Sequence, residues 1–274
     1  MISPGSPLAV LFASLIVSAS GDAIAMDRAL APRLTLVPVK LKSSAKQHWL
    51  SAISSDDADE LTRLLSANDT QSLLSLTASN GKSALMVAAK KGRLLLAKSL
   101  VEAGADVNAI TDTNGTPFMF AILGNNQKVA QWLLDQGADV NTVGSNGWTA
   151  LTIAAAKGNV PLLQWLIKQG AETQVRDVYR FTPLMRSVDN GYVEAAAVLL
   201  SLVETDVNVR DEYDNTPLHH AVSAGNIPMV NLLLEHGANP NIVNRDGHSP
   251  MELARELADD STTILQALGK VGVH

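Results

Sequence analysis

The chain contains no cysteine. A disulfide framework, a thiolate zinc site, a thiol nucleophile and a lipidated cysteine are therefore excluded. Aromatic residues are scarce, at 4% of 274 residues, although 46% are hydrophobic. That imbalance argues against one large core and for many thin aliphatic layers. Basic residues are in deficit: 21 Lys and Arg against 27 Asp and Glu give a formal net charge of −6. This is the reverse of the balance that phosphate neutralisation needs, so nucleic acid is not an expected ligand. The apolar run from Leu8 to Ala19 is also short, since a membrane-spanning helix takes about 20 apolar residues.

That run is followed by Ser20, Gly21 and Asp22, then by Ala23-Ile24-Ala25, the small-x-small pattern that signal peptidases accept. A signal peptide over residues 1–25, cleaved after Ala25, is expected, and with it export to the periplasm. No Lys or Arg precedes the run, so the α-amino group alone supplies positive charge there. The competing reading is an apolar segment packed on the domain, in a cytoplasmic protein. Residues 26–46 carry Arg28, Arg33, Lys40, Lys42 and Lys46 against Asp27, with Pro32 and Pro38 interrupting any helix. They read as a basic, mostly extended linker.

Beyond the linker the chain repeats itself. Segments starting at Ser83, Thr116, Thr149, Thr182, Thr216 and Ser249 read Ser-Ala-Leu-Met, Thr-Pro-Phe-Met, Thr-Ala-Leu-Thr, Thr-Pro-Leu-Met, Thr-Pro-Leu-His and Ser-Pro-Met-Glu, at steps of 33, 33, 33, 34 and 33 residues. Five residues into each comes a small side chain, at Ala88, Ala121, Ala154, Ser187, Ala221 and Ala254. A glycine-containing bend and a leucine-rich stretch follow. The unit closes on Gly104-Ala-Asp-Val-Asn, Gly137-Ala-Asp-Val-Asn, Gly170-Ala-Glu-Thr-Gln or Gly237-Ala-Asn-Pro-Asn. This pattern resembles the ankyrin-repeat family, clearly over residues 80–270 and in degraded form over 47–79.

The residues themselves explain such a unit. Thr or Ser caps orphan N–H groups at a helix start, and Pro is tolerated in the first turn. The alanine lets the next repeat approach, and runs such as Val129-Ala-Gln-Trp-Leu-Leu present apolar residues at helical spacing. Gly104, Gly137, Gly170 and Gly237 end the second helix in a left-handed conformation. Asn80-Gly81, Asn114-Gly115, Asn146-Gly147 and Asp246-Gly247 mark the turns of extended fingers. The expected fold is an all-α solenoid of helix-turn-helix units with β-hairpin-like fingers. Five well-formed repeats over 80–245 lie between a degenerate capping repeat at 47–79 and a C-terminal capping repeat at 246–274.

Little in the chain points to catalysis. His-Glu-x-x-His, Gly-x-x-x-x-Gly-Lys and Gly-x-Ser-x-Gly are all missing, so neither an enzyme, a metal site nor a cofactor is expected. Val143-Gly-Ser-Asn-Gly reads as a turn. His219 closes a Thr-Pro-Leu-His motif, where the resemblance implies an internal hydrogen-bonding partner for the Thr. His220 points elsewhere, because adjacent helical positions do not share a face.

The family resemblance implies protein binding through finger tips and a groove lined by the inner helices. Aligning the fingers on Asn108, Asn141, Gln174, Asn208 and Asn241 gathers aromatics on three consecutive fingers: Trp148, Tyr179, Phe181 and Tyr213. Fingers need no rings for a core, so these are candidate binding residues; the alternative is that they pack finger against finger. Arg186, Asp189, Tyr192 and His220, with Lys157, add a mixed polar groove beneath them. Arg176, Arg180, Arg210, Asp211, Glu212 and Asp214 bring charge of both signs to the fingers, which would orient a partner. Trp132 and Trp165 share an outer-helix register and are assigned to packing between repeats. The fourth repeat departs from the pattern, with Ser187 in place of Ala and Val203-Glu204-Thr205 in place of Gly-Ala.

The function these observations support is a non-catalytic, monomeric interaction module of the cell envelope. It would bind or stabilise a partner protein through the groove and fingers of repeats 3–5, and it resembles short periplasmic ankyrin-repeat proteins. The alternative is a stoichiometric inhibitor or immunity protein of a secreted toxin-like enzyme, although no finger carries the long insertion such a plug would use.

Overall fold

The computed structural model describes residues 43–67, 70–256 and 261–269, all within one unit, Lys40–His274. The signal-peptide reading of residues 1–25 and most of the linker lie outside the described residues. Helix α1 (Ser43–Ser54) begins inside the stretch read as linker, so that reading is corrected for Ser43–Lys46. Those four residues contain no proline or glycine and continue into the buried Trp49, Ala52 and Ile53. With α2 (Ala58–Ala67) and the short α3 (Thr70–Leu74), α1 forms the first cap.

Five helix pairs follow: α4 (Ala84–Lys90) with α5 (Leu94–Glu102), α6 (Pro117–Leu123) with α7 (Gln127–Asp135), and α8 (Ala150–Ala156) with α9 (Val160–Lys168). The last two are α10 (Pro183–Asp189) with α11 (Val193–Leu200), and α12 (Pro217–Ser223) with α13 (Ile227–Glu235). Helices α14 (Pro250–Glu256) and α15 (Ser261–Gly269) close the array. The even-numbered helices from α4 to α14 stack on one another as an inner row, and the odd-numbered helices form an outer row.

Each inner helix starts where its hydroxyl residue places it. Thr116 Oγ1 accepts from Met119 N at 3.3 Å, Thr149 from Thr152 N at 3.2 Å and Thr182 from Met185 N at 3.3 Å. The small residue five positions on is fully buried in every unit: Ala88, Ala121, Ala154, Ala221 and Ala254 expose none of their surface. Ser187 is accommodated in that row because its Oγ donates back to Leu184 O within the same helix, at 2.7 Å. Helices α5, α7, α9 and α13 end on Gly104, Gly137, Gly170 and Gly237, with φ of +102°, +92°, +84° and +85°, as the left-handed cap requires.

Among the described residues the fingers contain turns and no strand. They are stitched in series by single backbone hydrogen bonds, from Asp112 N to Asn80 O, Ser145 N to Thr113 O, Val178 N to Asn146 O, Glu212 N to Tyr179 O and Arg245 N to Tyr213 O. One donor and one acceptor on each of the four inner fingers, with an acceptor on the first and a donor on the last, therefore hold the six tips in register. The aligned asparagines add a second stitch at the finger base: Asn108, Asn141 and Asn208 donate to the carbonyls of Gly137, Gly170 and Gly237, at 3.1, 3.2 and 3.4 Å.

Trp165 packs between repeats as expected, its ring 6.3 Å from Phe118 and its Nε1 donating to Gln131 at 3.3 Å. The junction between the fourth and fifth repeats differs. Gln174 replaces the stapling asparagine, and its Nε2 donates to the neighbouring Thr173 Oγ1 at 3.5 Å. The end of α11 is held instead by Thr205 Oγ1 donating to Leu199 O at 2.7 Å, and Val203 stands fully in solvent.

Candidate functional site

Two positions nine residues apart organise each finger on its inner helix. The root of the finger is Thr111, Gly144, Asp177, Asp211 or Asn244 in successive repeats, and the residue one helical turn past the capping Thr or Ser is Phe120, Ile153, Arg186, His220 or Leu253. In repeat 4 the buried Asp177 uses its two oxygens differently. Its Oδ1 accepts the N–H groups of Tyr179 and Phe181, at 2.9 and 3.0 Å, which shapes the turn. Its Oδ2 accepts from Arg186, from Nε at 2.8 Å and also from Nη2.

Arg186 is in turn enclosed by rings. Its guanidinium carbon lies 4.4 Å from the Phe181 centroid, 5.3 Å from Trp148 and 5.8 Å from Tyr179, within cation–π range for all three. Repeat 5 echoes the arrangement. Asp211 caps Tyr213 N and Asn215 N through Oδ1, at 2.8 and 2.9 Å, and its Oδ2 meets His220 Nε2 at 2.9 Å. The His220 ring stands edge-on to Phe181 at 5.0 Å and its Nδ1 lies 3.7 Å from Asp189.

The structure thus brings Trp148, Phe181, Arg186, Asp189 and His220 into one network, with Tyr179 at its rim. Asp211, taken from the sequence as an exposed finger charge, is only 1% exposed and belongs to this network. Tyr179 and Tyr213 keep more than half of their surface in solvent. Tyr192 sits apart, at the start of α11, lying over Gly158 so closely that any Cβ there would collide with its ring. His219 is buried as the partner of Thr216, with Thr216 N donating to its Nδ1 at 3.0 Å and its Nε2 3.0 Å from His248 O. Burial holds its pKa below the ordinary histidine value.

Sequence reasoning missed the aliphatic part of the face. Of the ten large apolar residues left exposed among the described residues, seven lie on the fingers or on the groove side of an inner helix. Ile110, Val143 and Val243 occupy one finger register, which is filled by Arg176 and Arg210 in between; Val178, Tyr179, Tyr213 and Leu123 complete the set. Such concentration sets this face apart from scattered exposure and makes it the candidate interaction surface. The signal was available in that single register, read across repeats.

The tip geometry carries strain at one residue. The last turn position is Gly81, Asn114, Gly147, Arg180, Asp214 or Gly247, and all six have positive φ. Arg180, at φ +62°, holds a left-handed conformation that costs a residue with a Cβ about 1–2 kcal/mol. Its side chain is displayed at the tip despite that cost.

Stacked helix pairs whose fingers share one apolar and arginine-bearing face define a repeat solenoid of the interaction type. The chain belongs to the ankyrin-repeat family: a family model of three ankyrin-repeat copies matches residues 49–144, and models of many copies match 124–167 and 202–254. Ankyrin repeats generally mediate contacts between proteins. Comparison with curated proteins finds no match to this chain. Among the described residues no group of three or more His, Asp or Glu could hold a metal ion, and no helix is long and apolar enough to cross a membrane.

Proposed function

We propose that this protein is a non-catalytic binding module of the cell envelope that holds or stabilises one partner protein through its finger face and inner-helix groove. The observation that carries the reading is the gathering of seven of the ten exposed large apolar residues on that face. Tyrosine and arginine, the residue types that dominate binding hot spots, stand among them. The network around Asp177 and Arg186 supports the face from below, so the tips meet a partner already ordered. Export rests on the Leu8–Ala19 run and the Ala23-Ile24-Ala25 site.

Affinity capture from a cell-envelope extract tests both parts. The full chain is compared with a Tyr179→Ala, Tyr213→Ala variant, which removes exposed rings and leaves the Arg186 cage with Trp148 and Phe181. The reading holds if one partner is lost with the variant while thermal unfolding is unchanged. Equal capture by both proteins refutes the finger site. Amino-terminal sequencing of the mature protein tests export, with a start at Met26 expected. A captured secreted hydrolase whose activity falls on binding would assign inhibition instead of stabilisation.

A further inference from the structure

The groove face changes character along the array. In repeats 4 and 5 the space between finger root and inner helix is filled by the Asp177–Arg186 and Asp211–His220 pairs. In repeat 3 the root is Gly144 and its helical counterpart is Ile153. Gly144 does not have positive φ, so its backbone does not require glycine; what glycine supplies is a missing side chain. Turn capping passes to Asn146, whose Oδ1 accepts from Trp148 N at 3.1 Å. The outcome is an open hollow of about 350 Å³ between the second and third fingers, walled by Met119, Phe120, Leu123, Trp148 and Ile153, and no charged residue lines it.

The next finger is different again. It carries Arg176 beside its root and Arg180 at its tip, both exposed and neither in an ion pair among the described residues; the one carboxylate between them, Asp177, is buried and already neutralised by Arg186. Arg210 repeats Arg176 one finger further on, with the acidic Glu212 and Asp214 beyond it. An uncharged hollow of side-chain size thus stands one to two repeats away from two uncompensated cations.

We infer that this face takes an extended segment of the partner protein that seats one bulky apolar side chain in the Gly144 hollow and sets acidic side chains against Arg176 and Arg180. This deepens the protein-binding reading and rests on it. Neighbouring inner helices pack about 8–10 Å apart, and an extended chain advances about 3.3 Å per residue. The hollow lies between the second and third fingers and the arginines on the fourth, about one and a half such spacings away, so the apolar anchor and the acidic pair are separated by about four residues. The hollow supplies affinity by burying apolar surface, while the arginines set orientation and select against basic segments.

The repeat pattern also supplies a variant that blocks the site without unfolding it. Gly144→Asn places at this root the residue found at position 244, where Oδ1 caps the turn by accepting from Asp246 N and His248 N opposite the apolar Leu253, so no unpaired charge is buried. A Cβ at Gly144 would come no nearer than 3.1 Å to any neighbour, and that neighbour is the side chain of Asn146, which can move.

The test uses the full chain and fluorescein-labelled ten-residue peptides, measured by anisotropy. One carries a Leu-Phe anchor about four residues from an Asp-Asp pair, in both orders. Its controls replace Asp-Asp by Lys-Lys or Leu-Phe by Ser-Ser. The acidic anchored peptide is expected to bind at least about tenfold more tightly than either control, a difference of about 1.4 kcal/mol. Gly144→Asn should weaken it by a similar factor with no loss in thermal midpoint, and Arg176→Glu with Arg180→Glu should shift the preference to the Lys-Lys peptide. The inference is overturned if the basic peptide binds as well, if the anchor makes no difference, or if no peptide binds at about 1 mM. In those cases, a captured partner that depends on Tyr179 and Tyr213 leaves the protein-binding reading intact. Loss of that capture as well would remove both.

Discussion

Arg186 Nε donates to Asp177 Oδ2 over 2.8 Å while Asp177 Oδ1 shapes the turn that carries Tyr179. One buried carboxylate therefore couples the inner helix to the finger tip. Asp177 has no solvent-exposed side-chain surface and Arg186 keeps 15% of its own. Removing the cation alone would leave an uncompensated buried charge, so Arg186→Ala is expected to lower stability by on the order of 3 kcal/mol in urea unfolding. Asp177→Asn with Arg186→Leu should recover part of that loss, because asparagine retains the turn-capping oxygen and the charge is gone. An additive double mutant would show that the pair does not act as a unit.

The left-handed conformation of Arg180 makes a different demand. Other fingers place Gly81, Gly147 and Gly247 at this position. Arg180→Gly relieves the strain at some cost in unfolded-chain entropy, and a net gain of up to about 1 kcal/mol is expected. The same substitution should weaken partner binding. Chemical denaturation and the peptide titration, run on one preparation, measure both. Equal or lower stability of the glycine variant would show that the arginine is retained for its packing.

Much of the fold was legible because each repeat reuses the same local chemistry. Thr116 and Thr182 cap their helices, Ala121 and Ala154 permit close stacking, and Gly137 and Gly170 take left-handed φ. Each role depends on residue type at a fixed step, which a linear reading recovers. The site was legible in part. Trp148, Tyr179, Phe181 and Tyr213 stood out as rings where no core needs them. Asp177 did not, because a buried aspartate at a finger root looks in sequence like any exposed finger charge. Its nine-residue spacing from Arg186, repeated by Asp211 and His220, is visible only once the partner is known to sit on the next helix. The Gly144 hollow was read as a turn, since a cavity is made by what is missing.

The finger-base staples should differ in value along the array. Asn141 both donates to Gly170 O and accepts from Glu172 N, at 3.2 and 2.9 Å. Asn141→Ala removes two exposed hydrogen bonds and is expected to cost about 1–2 kcal/mol. Gln174→Asn restores the repeat pattern in sequence, yet little stabilisation should follow, because the receiving Gly-Ala segment is replaced by Val203-Glu204-Thr205. Urea midpoints for the two variants compare them. A gain near 1 kcal/mol for Gln174→Asn would mean that the inserted residue leaves the carbonyl in place.

His219 gives the array a pH dependence whose sign is fixed by burial. Its ring is 1% exposed, with Thr216 N donating to Nδ1, which places the imidazole proton on Nε2 facing His248 O. Burial, chiefly, sets its folded pKa below the ordinary histidine value of 6.5. Between those two values the unfolded chain holds a proton that the folded chain does not, so stability rises with pH across that interval. The stabilisation is fully present above 6.5 and is lost as pH falls towards the depressed folded value. His219→Met supplies the control, because Met86, Met119 and Met185 fill the same position in three other repeats. The variant gives up the Thr216 contacts and is expected to be less stable at neutral pH. The difference in unfolding free energy between parent and variant should nevertheless shrink as pH is lowered from 7 to 5. A constant difference over that range would mean that His219 titrates alike in the folded and unfolded chains, and that its hydrogen bonds offset its burial in full.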